Sequence, residues 1–424
     1  MNIVIVTYNW PPRNAIGTHR PYSWARHWSE AGVEVTILTA RKHQFDAPLD
    51  LHLPDLPNVE VIQVPYGRVV GVPNSLLKHE FASQFLRKVK SKIVAFSGRS
   101  IDTRSAWWKA ASPVAVNLAQ EADVVVSTYG PASAHFIAKE MKCANPRLHW
   151  IADYRDLWSQ SPSSSISASE RKKKKQTELL TVGSYADVIT AVSEDMVRKL
   201  SDLTGIKTVH IPNGFDLDEE KFQDRLRRSC LRPQKPFRIV HTGMLYDGSR
   251  NPTPLLNALV ELKKGGRLNG EEVTVDFYGS RVAVARKLVE NTKYRPFIRL
   301  MGHVPREDAL MAQQSADLLL LLESPAPEAR GVLTGKLYEY IAAAKPILCV
   351  GSRPEYEIGR LLEKTGTGKV FGPDDYDRLA EVIWDTMNGQ GLYAQYKPNV
   401  EQIFEYSRKN LASRMLRVVL DICQ

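Results

Sequence analysis

Four cysteines in 424 residues, Cys143, Cys230, Cys349 and Cys423, stand too far apart for a metal-binding spacing or a disulfide framework. A reducing compartment is therefore expected. No apolar run reaches the length of a membrane span, and the first six residues lead straight into a strand pattern without a basic, long-cored leader. The expectation is a cytoplasmic chain that neither spans a membrane nor carries a standard export signal. No repeat of solenoid period occurs, and low complexity is confined to SPSSSISASE and the adjoining RKKKKQ, residues 161–176, expected as a loop. Acid is the scarce charge: 47 Asp and Glu oppose 57 Lys and Arg, for a formal net charge of +10. That excess favours an anionic partner, which charge alone leaves open among nucleotide, phospholipid surface and nucleic acid.

What is present is an alternation of short β-branched runs with longer amphipathic stretches. The first series reads NIVIVTY, VEVTILTA from Val33, VEVIQVP from Val59, ADVVVSTY from Ala122, LHWIADY from Leu148 and ADVITAVS from Ala186. The second reads FRIVHTG from Phe237, VTVDFYG from Val273, IRLMGHV from Ile298, ADLLLLLES from Ala316, KPILCVG from Lys345 and GKVF from Gly368. Strands spaced by helical segments predict parallel, doubly wound sheets, and two such series predict two α/β domains. The boundaries expected are 1–212 for the first domain, a polar linker over 213–236, 237–400 for the second domain and a C-terminal helix over 401–424 that packs back on the first.

The chemistry-bearing residues fall where strands give way to helices, the side on which such sheets bind ligands. In GVLTGKLYEYIAAAKPIL, Thr334, Gly335 and Lys336 open a helix whose N-terminus offers backbone donors and positive dipole to phosphates. Glu339 shares the face of Lys336 and has the reach to accept from ribose hydroxyls. In HTGMLYDGSRNP, Gly243 ends a strand and Arg250 is placed to clamp a departing diphosphate, an ordinary surface arginine being the competing reading. In YNWPPRNAIGTHR, Gly17, Thr18 and Arg20 are placed to face a phosphate or sugar, the competing reading being a structural turn with an exposed arginine. IADYRDLWSQ supplies Asp153, Arg155, Asp156 and Trp158, suited to orient an acceptor; an Arg and Asp pair bracing the fold competes with that role. His135 lies one turn into a helix, able to touch a sugar or to serve structure. No metal is expected, because no histidine or third acid accompanies the two aspartates.

Residues 76–109 interleave Lys88, Lys92 and other basic residues with aromatics that include Trp107 and Trp108. A helix on an anionic membrane surface fits this pattern, with nucleic acid less favoured and an ordinary solvated helix still open.

Together these segments resemble the retaining glycosyltransferases of the GT-B fold, glycosyltransferase family 4 (group 1). The resemblance runs nearly end to end, through YNWPPRNAIGTHR, ITAVSEDMVRKL, VHIPNGFDLDE, HTGMLYDGSRNP, IRLMGHVPREDAL, ADLLLLLES, GKLYEYIAAAKPIL and FEYSRKNLASRML. It implies two Rossmann-like domains facing a cleft, a nucleotide diphosphate sugar on the second and an acceptor on the first. It further implies Glu339 as the ribose ligand, Arg250 and Lys336 near the diphosphate, and no metal or other cofactor. Gly331 stands where many members have a glutamate, leaving Glu328 as the nearest acid to meet the donor sugar; Met244 replaces an arginine, and the histidine many members have just after the fourth strand is missing at Thr128 and Tyr129. The function expected is sugar transfer to a lipid-linked or saccharide acceptor at the inner face of a bacterial membrane. A sugar-nucleotide epimerase and a non-catalytic nucleotide-sugar or nucleic-acid binder are the alternatives.

Overall fold

The structure is a computed structural model that describes residues 1–67, 104–161, 167–229, 235–245, 250–269, 271–279 and 282–424. The chain divides into two compact units, Met1–Pro212 with Leu411–Gln424, and Asn213–Asn410.

The first unit is built on seven parallel strands: β1 Asn2–Val6, β2 Glu34–Ala40, β3 Val59–Val64, β4 Val124–Thr128, β5 His149–Tyr154, β6 Val188–Ala191 and β7 Thr208–His210. Their order, β3-β2-β1-β4-β5-β6-β7, reverses between β1 and β4. Strand side chains alternate between faces, so one run of buried residues feeds two cores. Ile3 and Ile5 join Ile37, Val126, Trp24 and Trp28 on one face, while Val4 and Val6 join Leu38, Val125, Trp107 and Ile137 on the other. Six strands coincide with the six runs read from sequence; β7 is a seventh, only three residues long and too short to show a period.

The second unit has six parallel strands, each on a run read from sequence: β8 Phe237–Thr242, β9 Val273–Tyr278, β10 Ile298–Gly302, β11 Leu318–Leu322, β12 Ile347–Val350 and β13 Gly368–Phe371. The order β10-β9-β8-β11-β12-β13 reverses between β8 and β11. The five leucines of β11 show no alternation because both faces are covered. Leu319 and Leu321 pack with the helix Gly335–Ala342, whereas Leu318, Leu320 and Leu322 pack with the helix Thr253–Lys264.

Two segments differ from their reading in sequence. Residues 213–236, expected as a linker, contain the helix Glu219–Arg228, whose Phe222 is wholly buried in the core of the second unit. The terminal helix is two helices, Val400–Phe404 and Arg408–Cys423. Around the break, Phe215 N–H donates to the Tyr406 carbonyl and Arg408 N–H to that of Phe215, so an extended contact displaces helical bonding. Beyond it, Ala412, Met415 and Val419 close the core of the first unit, and Trp28 Nε1 donates to the Ala412 carbonyl at 2.9 Å.

Candidate active site

In the second unit the predicted residues gather at the switch between β8 and β11. Gly243, directly after β8, has φ 130°, and a Cβ there would collide with the Lys336 ammonium. The helix Gly335–Ala342 starts after Thr334 and carries Lys336 in its first turn. It is tied to β8 by Tyr340, whose hydroxyl accepts from Thr242 N–H at 2.9 Å. Lys336 is brought down to about 8, first by burial and then by Arg250, while Glu323 and Glu339 oppose the shift. Lysine, arginine and two carboxylates thus share one field. Glu339 pairs with Arg306 at 2.8 Å and stays partly accessible. Glu328 sits exposed in the short turn Pro327–Ala329.

Glu323 is the member of this cluster that sequence reading passed over. It follows the leucines of β11, is 4% exposed, accepts from Arg250 Nε at 3.1 Å and from Thr334 Oγ1 at 3.3 Å. Burial pushes its carboxyl up, and Arg250 and Lys336 pull it back. An acid ending an all-apolar strand was the available signal. His241, on β8, is also buried; its Nδ1 hydrogen-bonds to the Leu320 carbonyl and burial brings its pKa down to about 3. It is a neutral floor beneath the cations.

In the first unit the predicted residues divide. Arg20 and Asp153 form a buried ion pair at 2.7 Å; Asp153 also accepts from Thr190 Oγ1, while Arg20 donates to the carbonyls of Ile211 and Pro212. With 6% and 0% of their side chains exposed, the pair is an internal brace joining helix His19–Glu30, β5, β6 and the end of the unit. The brace read for an Arg and Asp pair describes Asp153, whereas Arg20 is buried and so is neither the exposed arginine of a structural turn nor open to a ligand. Arg155 donates to the carbonyls of Tyr129 at 2.8 Å and Gly130 at 3.3 Å, and its guanidinium occupies the space a Cβ on Gly17 would need. Thr18 is buried with its hydroxyl on the Arg13 carbonyl. Burial raises Asp156 against the pull of Arg155. His135 is wholly buried among Tyr129, Trp150, Tyr154 and Trp158, hydrogen-bonded to Ser127 at 2.7 Å and brought down to about 3 by desolvation. It and Trp158, 3% exposed, are core residues and not groups offered to a sugar.

The expected membrane face also changes. Lys88 and Lys92 lie outside the described residues. Trp107 is fully buried with its ring 5.3 Å from that of Tyr8, and Trp108 packs on Phe136 and donates to Glu140 at 2.7 Å. Trp107 of helix Ser105–Leu118 is interior and Trp108 is partly buried against the same core. A basic surface exists instead on helix Ala168–Glu178, where residues 171–175 are Arg and four Lys; Lys174 is partly covered and the others are exposed. It lies in the segment expected as a loop, and its N-cap Ser167 accepts from Glu170 N–H. Among the described residues no helix is long and apolar enough to cross a membrane.

The two parallel-sheet α/β units match the GT-B fold of solved glycosyltransferases. The chain is similar over 99% of its length, and 98% of the other, to a sucrose-phosphate synthase from Thermosynechococcus elongatus, at 13% identity and TM-score 0.66. A trehalose-6-phosphate protein from E. coli bound with UDP-2-fluoro glucose covers it fully, 99% of that chain matching at 12% identity and TM-score 0.60. WaaG, a glycosyltransferase involved in lipopolysaccharide biosynthesis, matches at 13% identity and TM-score 0.52 over 98% of this chain and 99% of its own. No protein-family model matches the chain, and no curated protein does.

Proposed function

We propose that the chain is a retaining glycosyltransferase that moves a sugar from a nucleotide diphosphate sugar to an acceptor hydroxyl. The observation that carries this reading is the convergence of Lys336, Arg250 and the start of helix Gly335–Ala342 beside a side-chain-free Gly243. Diphosphate departure builds negative charge on a phosphate oxygen, and prearranged cations and backbone donors stabilise that charge without reorganising. Lys336 and Arg250 meet the diphosphate in place of a metal, with Thr334 and Gly335 presenting the helix start and Glu339 receiving the ribose. Arg250 exchanges part of its bond to Glu323 for the phosphate. The departing oxygen takes the acceptor proton, so the buried Asp153 and His135 have no part in the reaction.

The acceptor is lipid-linked and met at the inner face of a bacterial membrane during surface polysaccharide assembly. The basic helix Ala168–Glu178 supports this, since clustered lysines bind anionic lipid surfaces. Lys336→Ala and Arg250→Ala, assayed for transfer from UDP, GDP and ADP sugars with the product anomer read by NMR, test the chemistry. Normal turnover in both variants, or an inverted anomer, overturns it. Conversion of donor in the absence of any acceptor would instead identify an epimerase. Sedimentation with anionic liposomes at low salt, lost on neutralising Lys172, Lys173 and Lys175, tests the membrane part.

A further inference from the structure

A second cationic cluster lies in the first unit, beyond the ends of β1, β2 and β3, and none of the roles above uses it. Tyr8 follows β1, Lys42 follows β2 and Tyr66 follows β3. Around the single ring of Tyr8 stand Arg13 Cζ at 5.4 Å, Lys42 Nζ at 5.0 Å and Arg104 Cζ at 4.9 Å from the centroid. Cations within about 6 Å of a ring face are attracted to it, yet three at one ring repel each other. A carboxylate beside them, Asp46, is 2% exposed and pairs with Arg104. It accepts from the Tyr8 hydroxyl at 2.7 Å, from Arg104 Nη2 at 3.0 Å and from His43 N–H at 3.0 Å. Asp46 is thereby committed to orienting Tyr8 and Arg104. His43 Nε2 is buried without a hydrogen-bond partner among the described residues.

The arrangement is specific to its chain segments. Arg13 donates to Asn9 Oδ1 at 2.9 Å, and Lys42 to the Ala40 carbonyl at 2.7 Å and Thr39 Oγ1 at 3.1 Å. Arg13 is thus held by its own loop, Lys42 by the end of β2 and Arg104 by Asp46, on the ligand-facing side of a parallel sheet. A carboxylate offers two oxygens to such a set, whereas a phosphoryl group offers three or more and a larger charge. Two guanidinium forks and an ammonium suit the second.

We propose that Arg13, Lys42 and Arg104 bind a phosphoryl group of the acceptor, making the acceptor a phosphate or diphosphate ester. This deepens the transferase reading and rests on it for the word acceptor, but the binding itself can be measured without donor or turnover. The experiment is calorimetric titration of the full chain carrying Lys336→Ala and Arg250→Ala, so that the nucleotide half cannot answer for the anion. The probes are glucose 6-phosphate, a short prenyl diphosphate, inorganic phosphate and, as control, glucose. Saturable binding of an ester but not of glucose is expected, weakened at least about tenfold by adding Arg13→Gln or Lys42→Met. Preference for glucose 6-phosphate identifies a free sugar phosphate, and preference for the prenyl diphosphate a lipid headgroup. If neither ester binds, or if both variants bind as tightly as the parent, the proposal is overturned. Arg13 lies outside the Asp46 network and is only partly buried, so Arg13→Gln decides the matter should Lys42→Met fail to fold. Absence of transfer by the unsubstituted chain, with ester binding intact, would count against the transferase reading alone.

Discussion

Gly243 and Lys336 are coupled sterically, because the lysine occupies the volume a side chain at 243 would fill. Gly243→Ala is expected to cost about 1–3 kcal/mol at its positive φ, since non-glycine residues are strained there. It should also displace Lys336, so nucleotide affinity falls by about tenfold, the value of one charge-assisted hydrogen bond. Thermal unfolding and nucleotide titration of the same variant check both. Lys336 itself, at about 8 in the free protein, predicts a pH signature. A diphosphate binds the ammonium form, so affinity is level below pH 7 and declines above about pH 8, approaching about one decade per pH unit. Titrations between pH 6.5 and 9.5 check this, and Lys336→Met should flatten the profile. Arg250, Glu323 and Glu339 are the charged groups that set this value. The positions of Lys336 and Glu339 on one helical face were legible from their spacing. The shared field with Glu323 was not, because it depends on β11 lying beside β8.

At the scale of elements, strand ends are made rigid by side chains from distant segments. Arg20 and Asp153, 133 positions apart, bind helix His19–Glu30 to β5 and to Ile211 and Pro212. Taking one partner from a buried pair strands the other charge away from water. Asp153→Asn is therefore expected to destabilise the protein by about 3–5 kcal/mol in urea denaturation. Nucleotide affinity should remain that of the parent under native conditions, which a catalytic or donor-binding aspartate would not predict. The π-helical turn Leu179–Gly183 that continues the basic helix, and β7, gave little warning in sequence. Both are short, and a period needs more than one turn or two alternations to show.

At the scale of the whole molecule, each unit has a core on both faces of its own sheet. The first unit is completed by residues far away in sequence, Ala412, Met415 and Val419, which pack with Trp24 and Trp28. Met415→Ala should cost about 2–5 kcal/mol through lost burial and the cavity left behind. Tryptophan fluorescence suits the measurement, because Trp384 is the one tryptophan of the chain within Asn213–Asn410 and the other seven lie in the first unit. The fluorescence midpoint is expected to fall while far-ultraviolet signal from the second unit persists to higher denaturant. The sequence by itself determined the class of fold and the strands around which it is built. Alternation and helical spacing are local consequences of backbone geometry, and strand-to-helix turns announce the ligand side of a parallel sheet. Only tertiary structure decided which charged residues face a ligand and which are consumed as braces. Arg20 and Arg250 look alike in a strand-to-helix turn; one is sealed against Asp153 and two carbonyls, while the other remains beside Lys336 at a switch point. Strand order, not distance along the chain, brings their partners within hydrogen-bonding reach.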